Sequence, residues 1–205
     1  MLTTTHYSQL CLLSVQPYSA YEMVKQMGRS VGFIWPRAQS NLYADLKRLA
    51  ANGLAEVERA SVGRRHRTVY RITDAGRAEL RAWLESAGAP PYFECEALVK
   101  LGFAPHTTKE SALAQVAVLA EHAEQRLQLG HSLAHDHIET GGPHPHRLHV
   151  NAVMWRFLWE QHQAIARWAA WAHDEISNWP DTADSPASRE RGRNALRDGL
   201  AQFDF

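Results

Sequence analysis

Arg37, Ser40, Asn41, Tyr43 and Lys47 place guanidinium, hydroxyl, amide, phenol and ammonium groups in one short stretch. All are hydrogen-bond donors, and such a set suits recognition of phosphates and of the edges of bases. Further on, Arg64, Arg65 and Arg67 crowd around Gly63. Three arginines at a loop tip suit contact with a phosphate backbone or an adjacent minor groove. Tyr21 and Tyr43 add phenol groups that can anchor to phosphate. A basic helix face or loop is also often simply solvated, so the elements that carry these residues decide the reading.

Other reactive residues point less clearly. His131, His135 and His137 precede a Gly141-Gly142-Pro143 break, and His144, His146 and His149 follow it. His131 and His135, four apart, can share a helix face. No cysteine pair stands near them and no tight metal motif is formed, so the expectation is solvated or weakly hydrogen-bonded histidines, with no metal and no cofactor. Trp155, Trp159, Trp168 and Trp171 are candidates to line an apolar effector cavity at a dimer interface, or simply to fill that interface. Hydrolase, phosphate-loop and metalloprotease motifs are lacking, and no enzyme activity is expected. Cys11 lies in an apolar run that suggests burial. Cys95, between Glu94 and Glu96, has its thiolate disfavoured. Two cysteines far apart suit a reducing cytoplasm.

The elements needed to present the polar groups can be read from the pattern. Residues 5–15 form a short, mostly buried first helix ending near Pro17. Ser19 to Glu22 has capping-box spacing and opens a second helix, with Tyr21, Val24 and Met27 on one face and Gly28 at its end. A third helix spans about 37–52, with Pro36 at its start and Gly53 past its end, where positive φ is often required. Leu42, Leu46 and Leu49 give it an apolar face, and Arg37, Ser40, Ala44 and Lys47 point the other way. Residues 55–59 and 68–72 then read as strands, with residues 60–67 as the loop between them. Thr73 and Asp74 start a fourth helix containing Leu80, Trp83 and Leu84. Three helices followed by a hairpin describe a winged helix-turn-helix, with the third helix shaped to enter a major groove.

Particular motifs add a family. Ser19-Ala20-Tyr21-Glu22, Trp35-Pro36, Leu42-Tyr43 with Leu46 and Leu49, Gly53-Leu54, and Tyr70-Arg71-Ile72-Thr73-Asp74-Ala75-Gly76 occur in order over about residues 5–84. In these the chain resembles the PadR family of transcriptional regulators. Ala44 departs from the pattern, since many relatives carry proline there. The resemblance implies a DNA-binding regulator and supports an aromatic effector, as some such regulators accept phenolic or drug-like molecules.

The rest of the chain is read as helical. Residues 94–103 lead in. Thr107 to Glu110 has capping-box spacing, and Leu113, Val116, Ala120, Ala123 and Leu127 form a coiled-coil-like stripe on a helix running to about Ile138. A last long helix spans about Arg147 to Trp179, stopped by Pro180, with Met154, Leu158, Ile165, Trp168, Ala172 and Ile176 on one side. These two helices are too apolar for a small domain to cover, so a symmetric homodimer is expected. Residues 181–205 read as a mobile tail with a short helix near 194–200.

The fold class is thus mainly α with a small β-hairpin wing (α+β). The winged helix-turn-helix occupies 1–88, a helical dimerisation and effector domain 89–180, and the tail 181–205. The net charge is zero. It divides into +5 over residues 1–88 and −5 over 89–205, so the first part is the one expected to meet a polyanion. Neither a signal peptide nor a run long enough to span a bilayer is apparent. The expected function is a cytoplasmic, dimeric, sequence-specific DNA-binding repressor released by an effector. Two alternatives stand beside it. One is a winged-helix protein-interaction or ligand-sensor module without specific DNA binding, and the other is a metal-dependent enzyme using the histidines.

Overall fold

A computed structural model of the protein describes residues 1–36, 38–62 and 65–201. The chain forms two compact units, Met1–Pro91 and Tyr92–Phe205. In the first, helices α1 (Thr4–Val15), α2 (Ala20–Arg29), α3 (Gln39–Ala51) and α4 (Asp74–Glu85) surround a three-stranded antiparallel sheet in the order β1-β3-β2. Strand β1 is Tyr18–Ser19, β2 is Ala55–Val62 and β3 is Arg65–Ile72. Tyr18 stands opposite Tyr70, and Ala55 opposite Ile72.

Leu42, Leu46 and Leu49 of α3 are buried, and they join Leu10 and Leu13 of α1, Met23 and Met27 of α2 and Leu80 of α4 in one core. Ser19 caps α2, with the Glu22 amide donating to its hydroxyl and the Glu22 carboxylate accepting from the Ser19 amide at 2.9 Å. Gly53 follows α3 at φ +70°, a conformation that a Cβ would strain. Thr73 caps α4 through the Gly76 amide, and its hydroxyl donates to the Gly53 carbonyl at 2.7 Å. A Cβ on Gly76 would fall 2.9 Å from Ile72 Cγ1 and 3.0 Å from the Leu54 carbonyl carbon, closer still to the oxygen. The Thr-Asp-Ala-Gly sequence therefore ties the end of α3 to the start of α4 by close backbone approach.

Several boundaries differ from the sequence reading. Helix α3 starts at Gln39, not beside Pro36, with Ala38 in extended conformation at its N-cap. Helix α2 runs through Gly28 to Arg29. The hairpin arms are longer than expected: residues 60–62 and 65–67 belong to strands β2 and β3, because the ladder pairs Ala60 with Arg67 and Val62 with Arg65. Strand β1 has no expectation behind it, since two residues carry no periodicity.

The second unit contains α5 (Glu96–Gly102), α6 (Lys109–Thr140), α7 (Leu148–Ser177) and α8 (Pro186–Leu200). Helices α6 and α7 have 32 and 30 residues, about 48 and 45 Å, and pack as a hairpin around Gly141 and Gly142, both at positive φ. Their core is made of small residues, with Ala112, Val116 and Ala123 of α6 against Ala169, Ala172 and Ile176 of α7. The N-cap of α6 is Thr108, whose hydroxyl accepts from the Ser111 amide, one residue beyond the expected Thr107. Lys109 donates to the Ser177 and Trp179 carbonyls at 3.2 and 3.0 Å, and so closes the C-terminal end of α7. Helix α8 begins well before residue 194, because Ser185 caps it through the Ser188 amide and Pro186 suits the first turn.

Candidate nucleic-acid interface

Helix α3 is held from one side only. Opposite its leucines, Asn41, Ala44, Lys47 and Arg48 are exposed, and Tyr43 is 39% exposed. Tyr21, at the second position of α2, is 68% exposed. Burial of a leucine face at helical spacing leaves an outward face free for a partner, and that face carries an amide, a phenol and two cations. Of the other nominated residues, Ser40 lies in α3 and Arg65 and Arg67 lie in β3, not in a loop as expected. The side chains of Ser40, Arg65 and Arg67, and all of Arg37 and Arg64, lie outside the described residues. On the hairpin stem Arg71 pairs with Glu58 across the strands at 3.1 Å, so it is spent on the sheet itself.

The inward attachment of α3 is partly polar, which the sequence reading did not identify. Gln9 of α1 is fully buried and donates from Nε2 to the Leu42 carbonyl at 2.7 Å. His6 Nε2 lies 3.4 Å from Asp45 Oδ1. Trp35, just before α3, donates from its indole to Thr5 Oγ1 at 3.1 Å. The signal was present as a run of polar residues, Thr5, His6, Ser8 and Gln9, at the positions where α1 should be packed. On the other side of α1, Tyr7 stacks on Trp83 at 4.7 Å, and its hydroxyl donates to Glu79 at 2.7 Å. That bond to a carboxylate raises the Tyr7 pKa above that of a free phenol.

Residues 10–82 match the transcriptional regulator PadR-like family. They form a PadR-like domain. A probable transcriptional regulator of Mycobacterium tuberculosis is 32% identical over 82 residues, which is 40% of this chain and 43% of that protein. The chain thus matches less than half the length of that curated relative. Among solved structures, Bacillus subtilis PadR in complex with operator DNA is 19% identical, with a TM-score of 0.72, over 85% of this chain and 99% of that one. The complex of Bacillus subtilis PadR with p-coumaric acid gives 18% identity and a TM-score of 0.63, over 85% and 96%. At these identities the likeness is one of fold: a mostly helical chain with a small three-stranded antiparallel sheet. Its PadR-like domain accounts for the quoted motifs physically, since the Thr-Asp-Ala-Gly turn and the Ser19 cap are the joints of its helices.

Beyond the PadR-like domain, the four tryptophans of α7 do not converge within the unit. Trp155 meets the His137 ring edge-on at 4.5 Å. Trp159 lies against Gly130, where a Cβ would come 3.0 Å from its Cδ1. Trp168, more than two turns further on, packs against the small-residue core, and Trp171 is 51% exposed. Of the turn histidines, His131, His135, His146 and His149 are exposed. His137 is not simply solvated, because its Nδ1 bonds the Leu133 carbonyl at 2.8 Å and its ring lies where a Cβ on Gly142 would go. Burial, with nearby His146 and Arg147, lowers the pKa of His144. Among the described residues, no group of three or more His, Cys, Asp or Glu side chains is placed to hold a metal, and no helix is long and apolar enough to cross a membrane.

Proposed function

We propose that this protein is a dimeric, sequence-specific regulator of transcription that binds double-stranded DNA through α3 and the β2–β3 hairpin. The observation that carries the proposal is the two-sided character of α3. Its leucines are buried, its backbone is pinned by Gln9, and its free face presents Asn41, Tyr43 and Lys47. In this reading Arg37, Ser40, Asn41 and Lys47 meet bases or their flanking phosphates, Tyr21 and Tyr43 anchor to phosphate, and Arg64, Arg65 and Arg67 add affinity with little sequence choice. The complex of the Bacillus subtilis relative with operator DNA supports the partner. An aromatic effector is supported by the relative's complex with p-coumaric acid. Such a molecule, held beside Trp155, Trp159, Trp168 or Trp171 at a dimer interface, would change the spacing of two α3 helices and release the operator, which makes the regulator a repressor. Support for the dimer comes from α7, which leaves Val150, Val153, Phe157 and Trp171 exposed on its outer side.

The test is a titration of the full chain against the duplex upstream of its own coding region, at two salt concentrations. The wild type is compared with Lys47→Ala and with an Arg64→Ala/Arg65→Ala double variant. The proposal expects tight, salt-sensitive binding that weakens for every sequence in the arginine variant and loses preference in Lys47→Ala. Weak, salt-insensitive binding to every duplex in a genome-fragment selection would overturn it. It would favour a winged-helix protein-interaction module.

A further inference from the structure

The four buried polar residues of the described chain, Thr5, His6, Ser8 and Gln9, all lie in the first turns of α1. Three of them bear on α3 or its approach: Thr5 through a bond from the Trp35 indole, Gln9 through a bond to the Leu42 carbonyl, and His6 through a 3.4 Å approach of Nε2 to Asp45 that lacks hydrogen-bond geometry. Leucines hold a helix in place but tolerate small rotations, whereas a buried hydrogen bond is directional and costly to misalign. Most informative is His6, which is 1% exposed. Its Nδ1 receives the Thr3 amide at 3.1 Å and the Thr3 hydroxyl at 2.7 Å. A backbone N–H can only donate, so Nδ1 carries the lone pair and the proton of the neutral ring sits on Nε2, facing Asp45. One neutral imidazole thus caps α1 and touches the inner edge of α3.

We propose that His6 is a positioning residue for the DNA-reading helix, acting through Asp45, and that its neutral form is the DNA-competent one. This rests on the reading of α3 as the element that enters the groove. Protonation would place an N–H on Nδ1 opposite the Thr3 amide donor, so the bond from the amide is lost and the Thr3 hydroxyl must turn from donor to acceptor if the ring is to keep its place. The charged groups around His6 among the described residues are Asp45 and Arg48 of α3 and the N-terminal ammonium. Burial lowers the His6 pKa. Asp45 pulls against it, while Arg48 and the N-terminus push the same way as burial. A histidine whose folded pKa is lowered leaves stability intact above its unfolded value, and stability falls as pH drops from there towards the folded pKa. The orientation of α3 loses its lock lower still, as pH falls through the lowered folded pKa and the native ring itself takes up the proton.

The test compares the wild type with His6→Gln and His6→Ala. Glutamine at this position supplies an acceptor for the Thr3 amide and a donor towards Asp45, and it does not titrate. Operator affinity is measured by fluorescence anisotropy at pH 7.5 and pH 5.5. Nitrogen-15 spectra of histidine-labelled free protein follow the His6 ring. The expected results are about fivefold weaker wild-type binding at pH 5.5, a difference that His6→Gln removes while keeping the pH 7.5 affinity, and weaker binding by His6→Ala at both pH values. The ring should titrate in the neutral Nε2–H form, and its titration should move amide signals of α3. If His6→Gln keeps the wild-type pH dependence, or if α3 signals are unmoved by His6 titration, the proposal is wrong. Should no duplex bind at any pH, the DNA reading fails, and the spectra of the free protein still decide whether His6 positions α3.

Discussion

Gly76→Ala adds one methyl group, and in most helices such a change would stabilise by up to about 1 kcal/mol. Here the sign should reverse. The new Cβ would lie 2.9 Å from Ile72 Cγ1 and 3.0 Å from the Leu54 carbonyl carbon, with the carbonyl oxygen nearer. The obstacle is backbone, and it is not free to move, because the Leu54 carbonyl accepts the Thr73 amide at 3.2 Å and the Thr73 hydroxyl holds the Gly53 carbonyl. Relief means shifting α4 or the α3–β2 turn and stretching these bonds. Overpacking of this kind costs about 3 kcal/mol, which is about 15 °C in the unfolding midpoint of a unit of this size. The control is Gly28→Ala, in α2, where a Cβ meets nothing within 4 Å; it should be neutral or stabilising by about 0.5 kcal/mol. Urea and thermal unfolding of the full chain, followed by far-ultraviolet circular dichroism, separate the two. Gly76→Ala with a midpoint at or above the wild type would refute the close-approach account of the Thr-Asp-Ala-Gly turn.

Leu46→Ala removes a side chain that is 1% exposed and should cost about 2–5 kcal/mol, measured as a lower urea midpoint, with operator binding lost in parallel. Gly130→Ala should turn the Trp159 indole out of its seat, seen as a changed tryptophan emission maximum and a loss of about 1–2 kcal/mol from the α6–α7 hairpin. Phe157→Glu, at a position 61% exposed on α7, should leave the fold intact and convert a dimer to a monomer in sedimentation; an unchanged sedimenting mass would remove that face from the interface.

Elements were legible where the local pattern also decides the structure. The leucines of α3, the Ser19–Glu22 cap and Gly53 at positive φ each express one local requirement, and each is present. Elements failed where the determinant is remote. Residues 60–62 and 65–67 lack a strand pattern and are held by pairing with each other. β1 exists because Tyr18 and Ser19 reach β3 across some fifty residues of chain. The outward residues of α3 could be named from a helical wheel. The inward polar lock could not, because Thr5, His6 and Gln9 look like surface residues until α3 and Trp35 are placed over them. Likewise the stripe of α6 has coiled-coil spacing that names no partner, and only the packed chain shows Val116 and Ala123 spent on α7.

The Tyr7–Glu79 bond spans 72 positions. During synthesis α1 leaves the ribosome before the other helices of its unit, yet its stacking partner Trp83 and the carboxylate of Glu79 lie on the last helix of that unit to emerge. The α6–α7 hairpin, by contrast, joins neighbours along the chain and needs only a short loop closed. The hairpin can start at its turn and zip towards the Lys109–Trp179 contact, 70 positions apart, whereas α1 meets Glu79 and Trp83 only by long-range closure. Helix α1 is therefore among the last parts of its unit to be finished, and a nascent chain stalled before residue 79 already holds Trp35, Leu42 and Asp45 for the polar side of α1 while Tyr7 still awaits both of its partners.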